Sequence, residues 1–310
     1  ENVRTMAGQL SEYAYGKIKI RVMKVNRESS GRHDVHELTV KTLLFGDFAD
    51  AWTTGSNHKI IATETQKNTV YQLARTTNCS SPEEFGKIVA AHFINTYPWV
   101  KKAQITLWED PWARIEVNGT QHNHCFTKDT TERRYAEVVH ERGQPAQVSG
   151  GIFNLIVLKT TNSSFEGFVG TKGSYQENDK WCTLGETKER LFSTAIESTW
   201  KFATPNADFN KCYADVKSAF LDTFAGDPVK GVPSPSAQQT QHDMCKVALA
   251  RCAPFIQEIK ITTPNLHYMP LSSAVVPSHM HADNKDVFFP IDGPSGFVES
   301  TATLAPRSKM

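Results

Sequence analysis

The sequence predicts an α+β protein with antiparallel sheets, built as two similar halves. Three observations support this prediction: strand patterns that come in pairs, amphipathic helices grouped between them, and a recurrence of the same order after about residue 150. The 310 residues are enough for about two domains of roughly 150 residues each. Each half is therefore expected to contain a strand pair, helices and a second strand pair, although no residue-level repeat is clear.

The first half opens with a strand pair. Residues 17–25 alternate charged and apolar side chains, which is typical of a strand with one face in water. Residues 38–44 repeat the alternation after a polar turn, so the two segments predict a hairpin. A second pair is expected at residues 105–108 and 113–117.

Two helices are predicted between these strand pairs. The first begins near Thr63 and continues through Ala74. The second has a clear start, because Ser81 is a good N-cap and Pro82 is favoured at the first helical position. From Phe85 onward its apolar residues recur at helical spacing, which predicts one buried face.

The second half follows the same plan, with a domain boundary expected at residues 143–151. A strand is predicted at residues 152–159. The remaining segments are predicted as helices at 186–199, 212–224 and 236–252, and as strands at 255–261, 267–271 and 286–290.

Composition excludes several classes of protein. Lys plus Arg (34) nearly balances Asp plus Glu (33), so no global basic field exists for coating nucleic acid. No uncharged apolar run approaches the length of a transmembrane helix, and no signal peptide is visible, so no membrane association is expected. Glycine-rich phosphate loops and CxxC pairs are absent, and the six cysteines are expected to be reduced.

Several residues could carry chemistry, and each also fits a structural role. Thr63 at a helix start could bind an anion through free N–H groups, or serve as an ordinary cap. Lys17 opens a strand, and Asn265 and His267 share one face of an extended segment. The histidine pairs 122/124 and 279/281 could each meet one metal ion if they lie on strands, but spacing locates no third ligand.

Six segments, in order, resemble the urate oxidase family and together cover nearly all of the chain. They are residues 15–25, 62–71, 121–126, 158–168, 234–238 and 264–268. The third reads His122-Asn-His124-Cys125-Phe126 where the family has His-x-His-Ser-Phe. The resemblance implies two tandem tunnelling-fold (T-fold) domains, residues 10–148 and 149–305, followed by a tail, 306–310. Each domain would be a four-stranded antiparallel sheet with helices on one face, closing into a β-barrel on oligomerisation.

The resemblance also implies a site for urate. Phe165 would stack on the purine ring, Arg190 would pair with its anionic edge, and Gln238 would hydrogen-bond its pyrimidine side. The remaining contacts would come from Thr63, Glu64, Ala237 and Asn265, of which Asn265 would hold water or oxygen above the ring. Lys17, Thr63 and His267 would form a proton relay. Glu64 and Ala237 replace the family's usual Asp and Val, but both would act mainly through the backbone.

The implied activity is oxidation of urate by O2 and water to 5-hydroxyisourate and H2O2, with no cofactor and no metal. The site would lie between subunits of a homotetramer. The final residues, Ser308-Lys309-Met310, resemble the Ser-Lys-Leu address of peroxisomal import, which implies an import receptor as partner and a peroxisomal location, or a cytoplasmic one if the address is not read. The alternatives are a zinc-dependent pterin-pathway aldolase or cyclohydrolase of the same architecture, and a non-catalytic relative.

Overall fold

A computed structural model describes residues 10–177, 179–183, 185–272, 275–281 and 284–304. The peroxisome-like tripeptide, Ser308 to Met310, lies outside the described residues. The chain divides into two compact units. The first comprises residues up to Asp129, Arg134–Gly150 and Thr204–Phe209, and the second comprises Thr130–Arg133, Gly151–Ala203 and residues from Asn210 onward.

The elements of the first unit are β1 (Tyr15–Arg27), β2 (His33–Gly46), α1 (Asp50–Thr53), α2 (Thr63–Thr76), α3 (Pro82–Thr96), β3 (Val100–Glu109), β4 (Ala113–Val117), β5 (Thr120–Thr127) and β6 (Arg133–Glu141). Four of the strands form an antiparallel sheet in the order β1-β2-β3-β6. Helix α2 packs against β1, and α3 packs against β3. The predicted hairpin and both predicted helices are confirmed. The predicted second strand pair is wrong, because β4 pairs with β5 and β3 pairs with β2 and with β6, which was not anticipated.

Helix α3 starts where the sequence predicts and lies unusually close to the sheet. The Ser81 hydroxyl accepts the backbone N–H of Glu84 at 3.1 Å, which satisfies one free donor of the first turn. A Cβ on Gly86 would come within 2.8 Å of side-chain atoms of Leu107 and Val138. Glycine at this position therefore permits the close approach of helix and strands.

A buried ion pair lies beside this helix. The Glu83 side chain is fully buried, and its carboxylate accepts from Arg134 Nη2 at 2.7 Å. Burial raises the pKa of Glu83, while the Arg134 guanidinium opposes that rise. His36 Nδ1 lies 2.7 Å from Glu109, whose other oxygen is 3.9 Å from Arg134. The network ties α3 to strands β2, β3 and β6.

The second unit contains the strand order β7-β8-β9-β12, and β10 also pairs with β8 and with β11. Helix α5 packs against β9 and β12. Strand β12 was not anticipated. The elements are β7 (Gln147–Lys159), β8 (Phe192–Phe202), α4 (Phe209–Ala225), α5 (Ala237–Cys252), β9 (Ile256–Thr262), β10 (Asn265–Pro270), α6 (Ser278–His281), β11 (Phe288–Ile291) and β12 (Glu299–Thr303).

The helix predicted at residues 186–199 is wrong, because strand β8 begins at Phe192. Burial along β8 has a period of two, with Thr194, Ile196, Ser198 and Trp200 all buried. The segment is rich in β-branched residues, which fit a pleated sheet. Arg190 consequently lies in the loop that enters β8.

The histidine pair 279/281 does not lie on a strand either, since residues 278–281 form the short helix α6. The strand geometry considered for a metal site at this pair is therefore wrong. Among the described residues, no helix combines the length and the apolar character needed to span a membrane. The six cysteines are free thiols.

Candidate active site

A hydrogen-bond chain fixes Lys17 relative to helix α2. The backbone N–H of Lys17 donates to Thr42 Oγ1 at 3.1 Å, and that hydroxyl lies 2.7 Å from Gln66 Oε1 on α2. Thr42 and Gln66 are both fully buried, so their bonds are protected from water. The register of β1 shifts directly after Lys17. The half-buried lysine is thus held at a local irregularity beside α2.

The residue before Lys17 has to be glycine. A Cβ at Gly16 would lie 1.7 Å from the carbonyl oxygen of Thr42, so no side chain fits there. Strands β1 and β2 can approach each other closely enough to form the Lys17–Thr42 contact only because this side chain is missing.

The first turn of α2 presents free donors. Thr63 is the first helical residue, and the N-cap Ala62 supplies no capping side chain. The Thr63 side chain is half-buried. Glu64 pairs with Lys67, which lowers the pKa of Glu64, and the charge of Lys17 lowers it further. Lys17 and the α2 N-terminus are therefore neighbours, with N–H groups available to an anion.

In the second unit, Phe165 and Arg190 lie side by side. Phe165 and Thr187 exchange two backbone hydrogen bonds, of 2.7 and 3.0 Å. The Arg190 backbone N–H donates to the carbonyl of Ser163 at 3.0 Å, and its Nε donates to the Ser163 hydroxyl at 3.2 Å. The guanidinium carbon lies 5.8 Å from the centre of the Phe165 ring. Burial lowers the pKa of Arg190, although a guanidinium remains charged at neutral pH.

The start of helix α5 joins this group. Ser234 donates its backbone N–H to Asn162 at 2.7 Å and forms a bridge with Ser163. Ser236 is the N-cap of α5, and its hydroxyl donates to Gln238 Oε1 at 3.0 Å. The bridge therefore brings the α5 N-terminus, with Ala237 and Gln238, to the segment that carries Phe165 and Arg190.

A flat aromatic surface borders the same group. The Phe165 and Phe168 rings stack 4.1 Å apart with an interplanar angle of 9°. They line a cavity of about 460 Å³ together with Val169, Trp181 and Cys182. Phe168 covers one face of the Phe165 ring, and the open cavity beside the pair is lined largely by apolar side chains, as ligand pockets are.

Asn265 and His267 lie on strand β10, where Asn265 pairs with Thr194 of β8 and His267 pairs with Ile291 of β11. The buried Asn265 Oδ1 has no hydrogen-bond partner among the described residues. A buried acceptor without a partner is unfavourable by about 1–3 kcal/mol unless something else satisfies it. This amide is therefore a candidate to bind a small polar ligand.

The structure thus forms two groups from the predicted site residues. Lys17, Thr63 and Glu64 are neighbours in the first unit. Phe165, Arg190, Ala237 and Gln238 form the group in the second unit, where Asn265 and His267 lie on β10. Sequence reasoning missed the residues that position them, namely Thr42, Gln66, Ser163 and Ser234, because small buried polar residues carry no pattern of their own.

The fold and the site define an α+β protein of the tunnelling-fold class that carries donors and a flat aromatic surface suited to a planar anion. A sequence model of the Uricase family matches residues 13–139 and 148–299. The chain is 33% identical to the uricase of Danio rerio over 297 residues, covering 96% of this chain and 95% of that one. It is 35% identical to uricase-2 of Phaseolus vulgaris over 301 residues, covering 94% of each.

A solved structure agrees with these sequence matches. The crystal structure of uricase from Arthrobacter globiformis superposes with a TM-score of 0.84 at 32% identity, covering 98% of each chain. The chain therefore belongs to the uricase family, the urate-oxidising oxidoreductases.

Proposed function

We propose that this protein oxidises urate with O2 and water to 5-hydroxyisourate and H2O2 in purine catabolism, without a cofactor. The atoms balance: O2 accepts two electrons and two protons to become H2O2, and water supplies the hydroxyl that is added to the ring. Deprotonated urate is electron-rich enough to reduce O2 directly, so the protein has to bind the anion, move protons and hold oxygen. The residues of the two groups match these three tasks.

The substrate anion is bound by complementary charge and shape. Arg190 pairs with its acidic edge through a fork of N–H donors, and Gln238 and the backbone of Ala237 bind the pyrimidine side. Phe165 stacks on the ring. The backbone of Glu64 and the hydroxyl of Thr63 bind the five-membered ring. The observation that carries the proposal is the Arg190 guanidinium beside Phe165, anchored by Ser163 and next to the start of α5.

Proton transfer is assigned to Lys17, Thr63 and His267. Thr63 is the first residue of α2, and Gln66 in the same helix is linked to Lys17 through Thr42, so the Thr63 hydroxyl is assigned the step that accepts a proton from the substrate side and donates its own toward the lysine. The unsatisfied amide oxygen of Asn265 supports a role in holding water or oxygen above the ring.

The complete site requires two subunits in this proposal. Lys17, Thr63 and Glu64 come from one chain, and Phe165, Arg190, Ala237, Gln238, Asn265 and His267 come from its neighbour. Neighbouring sheets close into barrels, and stacked barrels give a homotetramer. Import into peroxisomes through Ser308, Lys309 and Met310 and their receptor is part of the same proposal.

The experiment is urate turnover in air by chelator-treated protein, followed by loss of urate absorbance and by H2O2 formation. Metal-free protein is expected to retain full activity, and Lys17→Met is expected to lose it while still binding a urate analogue. Zinc-dependent activity would instead support the pterin-pathway alternative. Unchanged turnover in Lys17→Met would refute the relay, and no turnover in the wild type would support the non-catalytic alternative.

A further inference from the structure

Two histidines and a cysteine converge on strand β5, in the hairpin β4–β5. The ligand atoms of His122, His124 and Cys125 all lie within 4.8 Å of one another. The Cys125 sulfur is 3.8 Å from His124 Nδ1, and the His122 and His124 ring centres are 4.5 Å apart. His122 and Cys125 are half-buried and His124 is exposed, so the cluster is shielded on one side and open on the other.

A third histidine, which could supply a fourth ligand atom, lies nearby on strand β2. The ring centre of His33 is 5.8 Å from that of His124. Arg114 links the two strands, because its guanidinium donates to the backbone carbonyls of His122 and Asn123 at 3.2 and 2.9 Å and also to that of His33. The hydrogen bonds of Arg114 therefore hold strand β5, which carries the cluster, against the start of β2.

The charges around the cluster are compatible with a cation. Arg114 is the charged group in contact with the histidine backbone, and it is paired with the carboxylate of Asp34. Its guanidinium donates to the backbone carbonyls of His122 and Asn123. Arg32 donates to Gln121 at the edge of the hairpin. A bound thiolate would supply a further negative charge.

We propose that His122, His124 and Cys125 form a binding site for one Zn²⁺ ion, with His33 or water in the fourth position. Two imidazole nitrogens and one thiolate are the donor set that a borderline-soft, tetrahedral ion prefers. Metal binding releases the proton of the Cys125 thiol. His122 Nδ1 accepts the backbone N–H of His124 at 3.2 Å, so His122 must either give up this bond to bind the metal through Nδ1 or bind it through Nε2. The site is separate from the residues assigned to urate oxidation.

The test is a titration of the full-length, reduced, metal-free oligomer with Co²⁺, which reports a thiolate ligand by a charge-transfer absorption band. We expect one Co²⁺ per chain with this band, and bleaching of the band when Zn²⁺ displaces the cobalt. Cys125→Ser should abolish the band, and His122→Ala should weaken Zn²⁺ binding at least tenfold. Cys125→Ser introduces the serine of the family motif, so folding should be retained.

Matched controls are Cys182→Ser, a half-buried cysteine elsewhere, and His58→Ala, an exposed histidine. Both should bind Co²⁺ and Zn²⁺ as the wild type does. The proposal is overturned if the metal-free protein shows no saturable Co²⁺ site, if the band persists in Cys125→Ser, or if Cys182→Ser loses it equally. The titration needs no urate, so its result is independent of whether urate is turned over.

Discussion

Replacing Ser163 with alanine should weaken urate binding without slowing the chemical step. Ser163 is 1% exposed, and its hydroxyl is held 3.2 Å from Arg190 Nε. The substitution removes this acceptor and keeps the backbone bond from Arg190 to the Ser163 carbonyl. The guanidinium then loses the hydrogen bond that Nε donates to the Ser163 hydroxyl, and water cannot replace the hydroxyl at a buried position.

The magnitude follows from the bond that is lost. A hydrogen bond that involves a charged group contributes about 1.5–3 kcal/mol, and the 3.2 Å separation places this one at the weak end of that range. A loss of about 1.4 kcal/mol is a factor of ten. We therefore expect KM to rise about tenfold with kcat unchanged, because the proposed role of Arg190 is to bind the substrate and the transition state alike.

The assay is steady-state loss of urate absorbance in air-saturated buffer over a range of urate concentrations. Ser198→Ala is the matched control, because Ser198 is also buried and its hydroxyl also forms one side-chain hydrogen bond, which it donates to the carbonyl of Lys260 at 2.9 Å. It should leave KM unchanged. A KM for Ser163→Ala equal to that of the control, or a tenfold loss confined to kcat, would refute the role given to Arg190.

The other predictions concern stability. Arg134→Met leaves the Glu83 carboxylate buried without its partner, so the free energy of unfolding in urea should fall by about 3–5 kcal/mol; a fall below about 1 kcal/mol would contradict the buried pair. Ser81→Ala removes the α3 cap and should lower the same free energy by about 1 kcal/mol, whereas an unchanged urea midpoint would argue against the cap. The pKa of Glu37 is lowered in the folded protein, chiefly because Lys128 donates a hydrogen bond to its carboxylate. The ionised Glu37 therefore stabilises the fold at pH values above its unfolded pKa, and this stabilisation is lost as the pH falls through the lower folded pKa. Glu37→Gln should therefore flatten the decline of stability as the pH falls below the ordinary glutamate pKa of 4.5, and an identical decline would refute this assignment.

Local signals predicted much of the first unit. The alternation in residues 17–25, the cap at Ser81 and the apolar face of α3 each depend on neighbours in sequence, so they could be read directly. Strand β6 was missed because its partner β3 is distant in sequence and no tight turn connects the two strands. Strand β12 was missed for the same reason, since its partner β9 lies some forty residues earlier.

The β8 segment was predicted wrongly because its sequence pattern and its position in the sheet point to different structures. Residues 186–199 contain several good helix formers, such as Glu186, Lys188 and Glu189, but these precede the strand. The strand itself is determined by burial against its neighbours β7 and β9, which sequence spacing does not reveal. Since Arg190 lies at this boundary, only the family resemblance predicted a substrate-binding role for it, and only the structure shows its hydrogen bond to Ser163.

In the proposed function, one active site takes Lys17 and Thr63 from one chain and Arg190 and Gln238 from its neighbour. The most direct measurement is activity, at urate concentrations low enough that the Lys17→Met and Arg190→Gln chains are each inactive alone, after the two chains are unfolded together in equal amounts and reassembled. Random pairing across a two-chain site restores about one quarter of the wild-type sites, so we predict about one quarter of wild-type urate turnover. A mixture that remains as inactive as its two components would contradict a site shared between subunits.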